Sequence, residues 1–288
     1  MRELKILAVV VFFTILTYIG VEPFAHSQMH AHIDAVDYKY SDLKPTGKKG
    51  DAVKGKETFM NAGCIGCHGV KSQSMPAPMD AASASASFGV VPPDLSTAGT
   101  LYDETFLANL IKNPAHALMV EHKFNENKPH PMSAFMGLGG DLNQEVADIV
   151  AYLKSIAPKK LDEKETFINA CGRCHNVKYD GWKRPSNEAA LKKYMGTNPP
   201  DLSIMIRAKS EEHLMNFIGD PQRVLHGTSM PRVGLTKENA EKVIKYLEKV
   251  GDRKKEERES LTLKIILFFV IFTVFAYLWK ASKWRELH

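Results

Sequence analysis

The sequence predicts an all-α chain, two helical modules in tandem between two apolar helices. Three observations carry this. A Cys-x-x-Cys-His unit led by Glu-Thr-Phe-(Met/Ile)-Asn-Ala occurs twice, at 57–68 and 165–175. Each copy is followed by an amphipathic segment of helical period. The longest apolar runs of this chain, which is 44% hydrophobic, gather at its two ends. At 288 residues and 32.2 kDa it holds one large or two modest domains.

The C-terminal run, 261–279, is interrupted only by Lys264 and contains the uncharged core Ile265 to Trp279. At about 1.5 Å per residue it roughly crosses a ~30 Å hydrocarbon layer, with Lys264 placed to snorkel. Tyr277, Trp279 and Trp284 supply an interfacial belt. A buried core helix is the alternative, but little chain follows the run to cover it. At the other end MRELK precedes Ile6 to Val21, a basic n-region before a short apolar stretch. No small-x-small cleavage site follows, so 1–21 is expected to stay as an N-terminal signal anchor rather than be removed. Arg2 and Lys5 before the first run, and Lys280, Lys283 and Arg285 after the second, put both ends in the cytoplasm by the positive-inside rule. The body between them then faces the periplasm from the inner membrane. The net charge of +5 belongs partly to these flanks, and no aromatic-interleaved basic patch argues for nucleic acid. Asp252 to Ser260 mixes both signs, as a solvated linker or helix extension does.

All four cysteines lie in the body, as Cys64 and Cys67 before His68, and Cys171 and Cys174 before His175. Four cysteines in an exported chain could pair as disulfides, act as two redox pairs, or join the histidines on a metal. The histidine after each pair matches instead the c-type haem attachment unit. Two thiols three positions apart reach the two vinyl groups of one haem, and the adjacent imidazole reaches its iron. Two covalently bound haem c groups are therefore expected.

The repeat extends further. Pro92-Pro93-Asp94-Leu95-Ser96 recurs as Pro199-Pro200-Asp201-Leu202-Ser203, each first proline 24 residues after its histidine. Loops MSAFMGLG from Met132 and MPRVGL from Met230 then lead to the segments 142–156 and 236–250. Aligning Tyr152 with Tyr246 brings Ile149, Val150 and Leu153 onto Val243, Ile244 and Leu247, one apolar helix face. Asp141 and Thr236 are the expected N-caps, with Gln144 completing a capping box. The modules are placed at 50–157 and 161–251, joined by APKKLDEK, with a lead-in segment at 22–49 and a transmembrane anchor at 261–279. His26, His30 and His32 are read as incidental residues of the lead-in. Ser72 to Phe88, rich in Pro, Ala and Ser, is expected to be a surface loop.

An electron-carrying haem iron needs a sixth ligand, and a thioether opposite histidine raises its potential relative to two imidazoles. Met230 is the candidate in the second copy, ahead of Met205, Met215 and His226. Met132 is the candidate in the first, ahead of Met136, His130 and His116. The two prolines of each PPDLS turn restrict the backbone, and a nearby carbonyl is expected to accept the Nδ1 proton of His68 or His175 and aim the ring.

Asn198 to Lys209 (NPPDLSIMIRAK), SMPRVGL and the closing apolar tail together resemble the cytochrome c1 subunit of the quinol:cytochrome c oxidoreductase, the cytochrome bc complex. The resemblance implies class I cytochrome c-like haem domains, with Cys171 and Cys174 as anchors, His175 and Met230 as axial ligands, and a tail beside the cytochrome b subunit. The additional module, with Cys64, Cys67, His68 and Met132, makes the chain most similar to dihaem cytochrome c subunits of bacterial bc complexes, the epsilonproteobacterial type among them. The implied function is electron transfer from the Rieske iron-sulfur protein to a periplasmic cytochrome c or an oxidase, with no catalytic side chain. A dihaem subunit of a cbb3-type oxidase, whose anchor would precede its haem domains, is the first alternative. A dihaem peroxidase, which needs an open distal side, and a haem-containing scaffold or sensor follow.

Overall fold

A computed structural model describes residues 2–29, 35–125 and 127–287. The structure is helical, and the only β pairings among these residues are isolated bridges. His30 and His32 lie outside the described residues.

The N-terminal rod comprises Arg2–Ile15, Leu16–Val21 and Glu22–Met29. It is longer than the expected 1–21, because helix continues into the lead-in segment. The middle stretch is widened: the Glu22 amide reaches back five residues to the Thr17 carbonyl. Pro23 explains the widening, since its ring would collide with the carbonyl four residues earlier in an ordinary helix. The C-terminal rod, Lys255–Leu287, is a single helix of 33 residues, about 50 Å long at 1.5 Å per residue. It begins inside the mixed-charge segment, so that segment is a helix extension, tied down by Arg258 on Asp252 (2.6 and 2.7 Å). Leu4–Ala25 and Lys255–Glu286 are each long and apolar enough to cross a membrane, and neither apolar window is buried.

Between the rods the same plan appears twice. A lead helix, Ala52–Asn61 or Glu163–Ala170, packs on a closing helix, Leu142–Ile156 or Lys237–Gly251. In the first module the two helices touch at Gly55, where any Cβ would run into the Asp148 carbonyl. Phe59 packs on Tyr152 at 5.5 Å between ring centroids and Phe167 on Tyr246 at 4.8 Å. The expected face, Ile149, Val150 and Leu153 with Val243, Ile244 and Leu247, is buried in both. Asp141 and Thr236 cap as expected. Gln144 does not close a capping box; its amide instead donates to the Lys49 carbonyl and to Asp148 Oδ1, both at 2.9 Å, which fastens the strand of chain entering the module.

The span Ser72 to Phe88 is not all loop. Ala81–Phe88 is a helix capped by Asp80 and stopped by Gly89 at φ +81°. Small residues permit the close approach there: Ser85 is fully buried and its Oγ accepts the Asn187 amide at 2.8 Å, joining this helix to Glu188–Met195 of the second module.

The modules share a broad junction. Tyr102 bridges to Leu235, and the Asp103 amide donates to the Gly234 carbonyl (2.9 Å). Asn239 Nδ2 donates to the carbonyls of Thr100 and Leu101 (2.7 and 3.0 Å). Arg232, 3% exposed, donates to the Ala117 carbonyl, pairs with Asp42 at 2.8 Å and lies over the rings of Tyr40 and Phe106. Residues 35–49 strap both modules: Tyr38 and Tyr40 donate to the Met215 and Leu235 carbonyls of the second, and the Lys44 carbonyl accepts from Asn109 of the first.

Candidate functional site

Each site starts where its lead helix ends. In the first copy Ala62 ends the helix, Gly63 turns left-handed at φ +72°, and a tight turn over Cys64–Gly66 follows. In the second the helix runs to Ala170 and Cys171 caps it directly, its amide on the Phe167 carbonyl at 2.8 Å. The extra residue of the first copy is therefore absorbed in one glycine turn. Beyond it the backbone of the turn is held alike in both copies. The amides of His68 and His175 each donate to the carbonyl of the first cysteine of their unit at 3.0 Å, so two thiols and an imidazole share one turn of chain.

The PPDLS segments lock the same turns. Asp94 accepts from the amides of Lys71 and Ser96 (3.2 and 2.9 Å), and Asp201 from those of Lys178 and Ser203 (3.2 and 3.0 Å). Ser96 Oγ accepts the Ser72 amide and Ser203 Oγ the Tyr179 amide. The Pro93 carbonyl lies 2.9 Å from His68 Nδ1, and the Pro200 carbonyl 2.8 Å from His175 Nδ1. A carbonyl only accepts, so each Nδ1 carries the proton and each Nε2 keeps its lone pair. Among the described residues no protein group bonds to either Nε2. Burial also pushes both imidazoles down in pKa, and the neutral ring is the metal-binding form.

Burial pushes Cys64 and Cys174 up and Cys171 up to about 12, whereas reactive thiols are held low. The four cysteines are unpaired in disulfides, and no group of three or more His, Cys, Asp or Glu converges to hold a metal among the described residues. Two thiols beside a lone-pair-bearing imidazole on each turn fit a covalently attached haem.

The second copy carries a clamp that the first lacks. Arg184, with its side chain 5% exposed, donates to the carbonyls of Cys174 and Pro199 (3.2 and 3.3 Å) and to Asn198 Oδ1 (2.8 Å), while its amide is held by Asn176 Oδ1 (2.9 Å). At the position of Asn176 the first copy has Gly69, where a Cβ would press on the Ala77 amide at 2.8 Å. Arg173 also joins the copies, its Nη1 donating to the Val91 carbonyl of the first module at 3.2 Å.

Met132 and Met230 are both partly buried in the loops before their closing helices. Their rivals are either exposed or in contact with other groups. Met136 is 82% exposed, and His226 is exposed. His116 sits on Glu121 at 3.1 Å. His130 has Nδ1 at the Met132 backbone (3.1 and 3.2 Å) and Nε2 at the Tyr194 hydroxyl (3.1 Å). Met205 and Met215 pack on the core of the second module, and the Tyr38 hydroxyl reaches the Met215 sulfur at 3.9 Å.

Arg173, Arg184, Arg232 and Tyr194 are features that sequence reasoning passed over. The one available signal was that CIGCH and CGRCH differ by a charged residue inside the motif.

Residues 52–157 match the family model Cytochrome c. Among solved structures a chain of "Hyperthermophilic respiratory Complex III" is similar at 22% identity, over 44% of this chain and 75% of that one, with a TM-score of 0.35. No curated protein matches. Residues 52–157 thus form a cytochrome c domain, a kind that binds haem c covalently and transfers electrons.

Proposed function

We propose that the chain is a membrane-anchored dihaem cytochrome c, with one haem on Cys64, Cys67, His68 and Met132 and the other on Cys171, Cys174, His175 and Met230. The observation that carries this reading is the repetition of the cytochrome c attachment turn, its proline-carbonyl bond and its PPDLS lock at Cys171 to Ser203. Each haem, when bound, supplies an iron that takes up and gives back one electron. The protein holds the proton on Nδ1 of each proximal histidine through a proline carbonyl and keeps Nε2 free to bind. It fixes the two attachment turns on one rigid junction rather than on a flexible linker.

Within that class we place it as the cytochrome c1-like subunit of a quinol:cytochrome c oxidoreductase. Support comes from NPPDLSIMIRAK, SMPRVGL and the apolar C-terminal helix, which follows the haem modules instead of preceding them. The partners are then a cytochrome b subunit beside that helix, a Rieske iron-sulfur protein as electron donor, and a cytochrome c or oxidase as acceptor, with membrane lipid around both rods. Both modules face the periplasm, and the second, which carries the c1-like segments, receives the electron first. Purification of the tagged chain from its native membrane tests the placement. Cytochrome b and Rieske subunits should co-purify, and quinol should reduce both haems. Recovery of terminal oxidase core subunits in their place would overturn it.

A further inference from the structure

We propose that Arg173 is a shared positioning residue of the two sites: a cation supplied by the second attachment turn that crosses the junction and holds up the reduction potential at both irons. The inference rests on the dihaem reading above. Arg173 stands between Gly172 and Cys174, two residues before His175. Its side chain leaves its own module, and Nη1 donates to the Val91 carbonyl at 3.2 Å. Val91 directly precedes Pro92 and Pro93, and the Pro93 carbonyl is the group that holds His68 Nδ1 at 2.9 Å. The Val91 amide is held in turn by Ser186 Oγ at 3.1 Å, again from the second module. Both backbone polar groups of the residue leading into the His68 lock are therefore bound by the other copy.

Arg173 Nε is buried without a hydrogen-bond partner, and the guanidinium has no ion-pair partner among the described residues. A partly buried cation acts over a longer range than a fully solvated one, because less water screens it. At any nearby iron it favours the state with one positive charge fewer, which is the reduced state. The first unit returns nothing equivalent. Its matching residue is Gly66, around which a Cβ would meet open space. One side chain thus serves two sites, and it belongs to the copy that the proposed order puts first.

The test is a redox titration of both haems in the purified full-length protein carrying Arg173→Gln or Arg173→Lys, after intact mass has shown two haems per chain. Arg173→Gln should move both midpoints to more negative potential, and Arg173→Lys, which keeps the charge, should restore most of the shift. Unchanged midpoints in Arg173→Gln, or a shift confined to the second haem, would overturn the proposal. So would a Lys variant shifted as far as the Gln variant, since packing and not charge would then be at work. Should Arg173→Gln fail to mature, Arg173→Met removes the charge in its place and is read against the Lys variant by the same outcomes. A wild-type mass with one haem would instead defeat the dihaem reading and is seen before any titration.

Discussion

Gly234→Ala probes the junction that holds the two sites together. Gly234 has φ +77°, so alanine there meets the left-handed penalty of about 1–2 kcal/mol. Its new Cβ would also fall on the ring of Phe106, which is fully buried and has no route of retreat. Overpacking of that kind costs typically about 1–3 kcal/mol. The sum, about 2–5 kcal/mol, corresponds to a drop on the order of 10 °C in melting midpoint for a body of this size. Thermal unfolding of the holo protein in detergent, followed by near-ultraviolet circular dichroism, measures it. Because Gly234 lies four residues after Met230, the weak near-infrared band of methionine-ligated ferric haem should also diminish. Phe106→Leu in the Gly234→Ala background should recover the steric share and leave the backbone share, giving a favourable coupling in the double-mutant cycle. A midpoint within 1–2 °C of wild type in Gly234→Ala, or additive effects of the two substitutions, would refute the packing argument.

Three further outcomes follow from the geometry of the sites. Met132→Ala should abolish the methionine-ligation band of one haem while Met136→Ala leaves both bands intact, as the 82% exposure of Met136 requires; the reverse pattern in absorption spectra would reassign the ligand. Arg184→Met strips charge-assisted bonds from the carbonyls of Cys174 and Pro199 and should cost about 2–4 kcal/mol, seen as an earlier unfolding step and a perturbed second haem with the first unaffected. Asp180 is held below the usual carboxylate range by the Lys164 ammonium at 2.8 Å and then by the Tyr246 hydroxyl at 2.7 Å. A carboxyl depressed in the fold gives stability that is complete above its unfolded pKa and is lost as pH falls through the folded value. The melting advantage of wild type over Asp180→Asn should therefore be constant near neutrality and shrink below about pH 4; an advantage that grows with acid would contradict the assignment.

What could be read from the sequence was local. The buried face of each closing helix follows from period 3.6, and the caps Asp141 and Thr236 follow from residue type one position before it. The attachment turns and their proline-carbonyl locks sit at fixed spacing, so both copies were visible. The shorter helices between lock and methionine loop, Glu104–Lys112 with Pro114–Ala117 and Glu211–Gly219 with Pro221–Val224, are repeated too. Their sequences share little beyond capping residues and the Asn-Pro or Asp-Pro step, which hid the correspondence. The Pro, Ala and Ser content of Ser72 to Phe88 reads as loop, whereas Asp80 and Gly89 mark the ends of a short helix within it. The junction was invisible for a different reason. Tyr102, Arg173, Arg232 and Gly234 act through partners 82 to 190 residues away, and no window along the chain shows such pairings. Two identical-looking motifs can therefore be recognised from sequence, whereas the asymmetry that would make them two different electron stations is a property of the packed pair.

Two haems on one chain is the claim from which the rest descends, and the intact mass of the purified protein, matured with c-type attachment machinery, reads it directly. The expected mass is the polypeptide plus two covalent haems, falling by one haem when Cys171 and Cys174 are both replaced by alanine and by the other when Cys64 and Cys67 are. A wild-type mass carrying a single haem, or none, would contradict it.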